Sequence, residues 1–129
     1  MNRLIRSSIF AGFIIAIAGF GYLAIGGLAG AVLFSFGLLT VVGYKLKLYT
    51  GTAGFIDKRG MPDLMIILAG NIAGCLLGAL LTRASNMDLQ AAAQKILEIR
   101  LQNGPLKCGL LGIGCGVIMT TSVTFAREK

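Results

Sequence analysis

Residues 33–55 read LFSFGLLTVVGYKLKLYTGTAGF. An apolar helix meets Lys45 and Lys47, then runs into Leu48-Tyr49-Thr50-Gly51-Thr52-Ala53-Gly54, where helix formers give way to glycine and threonine. A bilayer tolerates such a break only where the freed N–H and C=O groups are buried in protein or line a wet cavity. An interrupted hydrophobic segment therefore points to a permeation or binding site. The alternative is a span that ends near Tyr44, with residues 45–60 forming a plain cytoplasmic loop.

The composition favours a membrane setting for either reading. The chain has 129 residues, 56% of them hydrophobic and only 13% charged, and its mean hydropathy is +0.83. That is far too apolar for a soluble domain of this size, and an all-α integral membrane protein is expected. Nineteen glycines against two prolines, set in Leu- and Ile-rich runs, predict helices packed backbone to backbone. The net charge of +7 comes from Lys and Arg placed mostly between apolar runs, which makes them topology signals and not a nucleic-acid face.

Four apolar spans are predicted, at about 9–26, 28–56 (broken near 45–54), 62–82 and 106–126. Together they form one membrane domain covering residues 1–129, with the lipid bilayer as its partner. Gly26, Gly27 and Gly30 are expected to make the hairpin after the first span, whose Gly12 and Gly19 should meet another helix. Phe34 and Leu38 share a stripe, either for packing or as a pore constriction. Pro62 opens the third span, where its missing N–H costs little. Gly70, Gly74 and Gly78 at four-residue spacing form a packing stripe, and Asn71 beside it is expected to bond between helices. Residues 86–103 form an amphipathic helix, capped by Ser85 or Asn86 and ended by Asn103-Gly104-Pro105. The last span carries Gly112 and Gly116 as packing glycines.

Eight of the twelve cations (Arg3, Arg6, Lys45, Lys47, Lys58, Arg59, Arg127 and Lys129) fall on the N-terminal side if the spans alternate. That bias places both termini in the cytoplasm of a multi-pass inner-membrane protein. No metal site is expected from Cys75, Cys108 and Cys115, which lack His or carboxylate companions, and no cofactor-binding loop is present. The five acids, Asp57, Asp63, Asp88, Glu98 and Glu128, are scattered, and no nucleophile with a base is found, so an enzyme is not expected.

FSFGLL (34–39) followed by LYTGTAGF (48–55) resembles the broken second helix of formate/nitrite transporters. GNIAGCLLGALL (70–81) is similar to the third helix of that family, and GLLGIGCGVIM (109–119) to the start of its fourth. The resemblance implies an aquaporin-like half-fold and transport of small monovalent anions such as formate or nitrite by a homo-oligomer, a pentamer in that family. It also implies that Phe34 and Leu38 line a narrow slit, that Leu48, Tyr49 and Thr50 form the gating loop, and that Lys95 or Lys107 matches a basic vestibule residue. The threonine hydroxyl and free N–H groups of the loop would bind the anion. Three departures stand out. Family members carry two inverted halves and a central histidine, whereas this sequence has four spans and no histidine, and Gly116 stands where asparagine is common. A half-length form would regain a pathway by pairing with a second copy or a separate C-terminal half. A non-transporting membrane subunit or holin-like pore former is the other reading of the same glycine-rich helices.

Overall fold

A computed structural model describes residues 1–55, 57–85 and 89–128. The described residues contain helices and turns and no strand: α1 (Asn2–Ile25), α2 (Gly27–Gly43), α3 (Tyr49–Ala53), a 3₁₀ turn (Lys58–Gly60), α4 (Met61–Ala84), α5 (Gln90–Gln102) and α6 (Gly104–Glu128). Three stretches, Asn2–Ile25, Lys58–Ala84 and Gly104–Glu128, are long and apolar enough to cross a membrane. Of the four expected spans, the second differs, because α2 has only 17 residues. At 1.5 Å per residue it is about 25 Å long, at the short limit for a crossing.

α1 begins seven residues before the expected span, since Arg3 and Arg6 do not stop a helix; they mark only where its apolar covering begins. Gly26 (φ +68°) and Gly27 (φ +56°) reverse the chain between α1 and α2 in a backbone region that favours glycine. Gly30, expected in this turn, instead lies inside α2. A Cβ there would sit 3.1 Å from the Tyr22 carbonyl oxygen, so its smallness serves the antiparallel approach of α2 to α1.

α4 runs parallel to α1, and their seam is built from backbone. Gly70 faces Ser8, Gly74 faces Ile9 and Phe13, and Gly78 faces Ala16. Gly12 returns the fit from α1, with the Asn71 Cα 2.8 Å from where its Cβ would be. Without hydrophobic drive between helices in lipid, such close approach is what makes a seam cohesive. Gly19, Gly112 and Gly116 meet no atom within 4 Å, so of the glycines expected to pack, these three face open space in the single chain.

Ser85, a candidate cap for the amphipathic helix, instead closes α4. Its N–H donates to the Leu81 carbonyl (3.1 Å) and its hydroxyl to that of Thr82 (2.9 Å). Asn86, Asp88 and Lys129 lie outside the described residues. α5 buries none of its residues, and Gly104 (φ +74°) turns the chain directly into α6, which meets the rest mainly through α3 and α5.

The outside of the bundle is apolar. A compact soluble monomer of 13.5 kDa exposes roughly 6,500 Å², whereas this chain exposes 9399 Å². Leu28, Leu80, Leu106, Ile113 and Ile118 all lie on that surface. The buried side chains are few, and three are polar: Ser8, Thr52 and Asn71. They converge on the break in the second apolar segment.

Candidate functional site at the helix break

α2 stops in a hydrogen-bonded C-terminal turn. The Leu46 N–H donates to the Val41 carbonyl (2.9 Å) and the Lys45 N–H to that of Val42 (3.0 Å). This is the Schellman pairing, which requires a left-handed residue at its centre. That residue is Lys45, at φ +53°, the only described non-glycine residue with positive φ. A side chain in that conformation costs about 1–2 kcal/mol. The extended Leu48 (φ −96°, ψ 135°) then redirects the chain into the single turn of α3.

Asn71 holds this reversal in place. It sits about 15 Å along α4 from Met61 at 1.5 Å per residue, and only 8% of its surface is exposed. Its Oδ1 accepts the Tyr49 N–H at 2.8 Å; its Nδ2 donates to the Ser8 carbonyl at 2.7 Å and to the Lys47 carbonyl at 3.0 Å. One amide therefore joins α4, α1 and both sides of the break. The Lys47 N–H donates to the Ser7 hydroxyl (3.1 Å), a second tie to α1. These bonds change one expectation: the amides of Lys45, Leu46, Lys47 and Tyr49 are already engaged within the protein and are not free to receive an anion.

The expected gating residues are divided between two clefts. Leu38 and Leu48 line one of about 430 Å³ between α2, α3 and α6, together with Val41, Met119 and Val123. Tyr49 and Thr50 line another of about 730 Å³ with Cys115, Gly112, Gly116 and Thr120 of α6. Phe34 is half-buried and lines neither, and Lys95 and Lys107 are exposed and also line neither. Gly112 and Gly116 thus border the cleft that holds Tyr49 and Thr50, whatever else they pack against.

Arg127 belongs to this region, although in the sequence it reads only as one of the charges on the N-terminal side. Its guanidinium lies over the Phe55 ring, 4.6 Å from the centroid, and its Nη2 reaches the Gly51 carbonyl at 3.4 Å. With Val123 against Gly51 and Thr120 against Gly54, it fastens α6 to α3. The distance along the chain, 76 residues to Gly51, hid the pairing. The first cleft consequently carries Lys45, Lys47 and Arg127 on apolar walls, and no carboxylate is among its described lining residues.

The arrangement defines a helical protein with three membrane-length apolar helices and a shorter apolar helix, α2, that turns sharply into α3. Comparison with family models, curated proteins and solved structures finds no match.

Proposed function

We propose that this chain forms part of a pathway for small monovalent anions across the inner membrane, in the manner of the formate/nitrite transporters its motifs resemble. The observation that carries this reading is the interruption of the second apolar segment between Gly43 and Tyr49, pinned to α1 and α4 by the three hydrogen bonds of Asn71. Irregular backbone held against membrane-length helices and bordering clefts is a feature of binding and permeation sites in membranes. In this reading both termini face the cytoplasm, Thr50 supplies a hydroxyl to the path on one side of α3, and Leu38 and Leu48 form the apolar wall on the other. The wide openings beside α3 are completed by further copies of the chain or by a separate half, as a pentamer would allow. Four of the break amides are already satisfied, so the hydroxyl and the nearby cations, more than the backbone, attract the anion.

The internal satisfaction of those amides also favours a second reading, a non-transporting membrane subunit in which the break is purely architectural. Formate and nitrite flux into proteoliposomes separates the two. Flux above protein-free vesicles that falls in Thr50→Ala supports transport; flux equal to that of empty vesicles refutes it for the assembly this chain forms alone.

A further inference from the structure

The loop Lys45-Leu46-Lys47 borders two clefts at one end of the bundle. The first, between α2 and α6, also holds Arg127. The second, between α1 and the end of α2, also holds Arg3 and Arg6. Five cations thus surround one turn of chain, and no carboxylate is among the described residues lining either cleft. Glu128, next to Arg127 in sequence, is absent from both linings. Below the charges of the first cleft the walls are hydrocarbon, from Leu38, Val41 and Met119. α6, which forms one of those walls, is almost wholly uncovered by the rest of the chain.

A charged rim above an apolar slot, open at the side of a membrane-length helix, matches one kind of molecule. A small inorganic anion would find the cations but waste the hydrocarbon walls, and a neutral lipid would do the reverse. We propose that the α2–α6 cleft is a binding site for an anionic phospholipid. Its phosphate sits between Lys45, Lys47 and Arg127, and its acyl chains lie along Leu38 and Met119. Basic pockets between membrane helices hold anionic head groups by this combination of charge and desolvation. The inference does not depend on transport: a chain that moves no anion would still bind the lipid.

The test uses the full chain in a neutral detergent, with phosphatidylglycerol and phosphatidylcholine offered in turn and bound lipid read by native mass spectrometry. Phosphatidylglycerol is expected to be retained in preference to phosphatidylcholine, and equal amounts of glycerol 1-phosphate or inorganic phosphate should not displace it. Lys47→Gln and Arg127→Gln should each weaken retention about fivefold. Arg83→Gln, at the far end of α4, should leave retention unchanged. Equal retention of the two lipids by the wild-type chain overturns the proposal without any variant, as does full displacement by glycerol 1-phosphate. Wild-type retention in both Lys47→Gln and Arg127→Gln would place the lipid elsewhere and overturn it too.

Discussion

The side-chain oxygen of Asn71 accepts the backbone N–H of Tyr49 at 2.8 Å, tying the middle of α4 to the first residue of α3. The same side chain donates to the carbonyls of Ser8 and Lys47. Asn71→Ala is expected to destabilise the chain by about 2 kcal/mol: three hydrogen bonds are lost, each worth about 0.6 kcal/mol on average between membrane helices. Unfolding in mixed micelles with increasing sodium dodecyl sulfate measures it. Asn71→Asp discriminates further. A carboxylate still accepts from Tyr49 but can donate to neither the Ser8 nor the Lys47 carbonyl, so it should destabilise the chain at least as much as Asn71→Ala. Wild-type stability in Asn71→Asp would count against the described bonding.

Gly74 and Gly116 both sit in glycine-rich apolar helices, yet they answer differently to an added methyl group. A Cβ at Gly74 would lie 2.6 Å from the Phe13 amide nitrogen and closer still to the Ile9 carbonyl oxygen, so backbone must move. Gly74→Ala should cost about 1–3 kcal/mol, as overpacking does. Gly116→Ala meets nothing within 4 Å in the single chain and should change stability by no more than about 0.5 kcal/mol. Comparing the two in detergent as monomers checks the difference. A loss at Gly116 seen only in the oligomer would identify α6 as an interface between copies.

Lys45 occupies a position where glycine is the usual residue. Lys45→Gly should raise stability by about 0.5–1 kcal/mol, the left-handed penalty relieved less the extra freedom of glycine when unfolded. Lys45→Val should lower it, because branching at Cβ worsens the same clash. The comparison belongs in a detergent without anionic lipid, so that loss of the charge is not confounded with loss of a ligand.

These positions also mark how far the sequence could be read. The break was legible because Lys45, Lys47 and the Gly-Thr run interrupt an apolar segment, and that signal is local. The α1–α4 seam was half legible: the spacing of Gly70, Gly74 and Gly78 announces a close approach, but which helix approaches is set by contacts more than sixty residues away. Asn71 stands out as the lone amide of its span, which points to a bond between helices. Its bonds to both sides of the break could not be read, because they depend on the α1–α4 register that brings Ser8 and Tyr49 to the same level. The left-handed Lys45 was hidden by chemistry, since glycine normally signals such a turn and Gly43 lies only two residues before it. Phe34 and Leu38 share a helical stripe as spacing requires, but only Leu38 reaches a cleft, because the cleft begins where α3 and α6 meet the end of α2.

Cys115 and Cys75 offer a direct test of where water reaches. Cys115 lines the cleft that contains Tyr49 and Thr50. Cys75 is surface-exposed on α4, with its thiol hydrogen-bonded to the Gly12 carbonyl at 3.4 Å, on a helix long and apolar enough to lie in lipid. A charged thiol reagent attacks only a thiolate, which forms in water and not in hydrocarbon. If the cleft beside α3 is wet, Cys115 should react and Cys75 should stay unmodified in intact vesicles, with both reacting after denaturation. Added nitrite should slow the reaction at Cys115 if the anion shares that cleft, and Asn71→Ala, by loosening α3, should alter the rate there. Equal protection of Cys115 and Cys75 would mean that the cleft is filled with lipid or covered by another copy of the chain, and Tyr49 and Thr50 would then lose their place on any aqueous path.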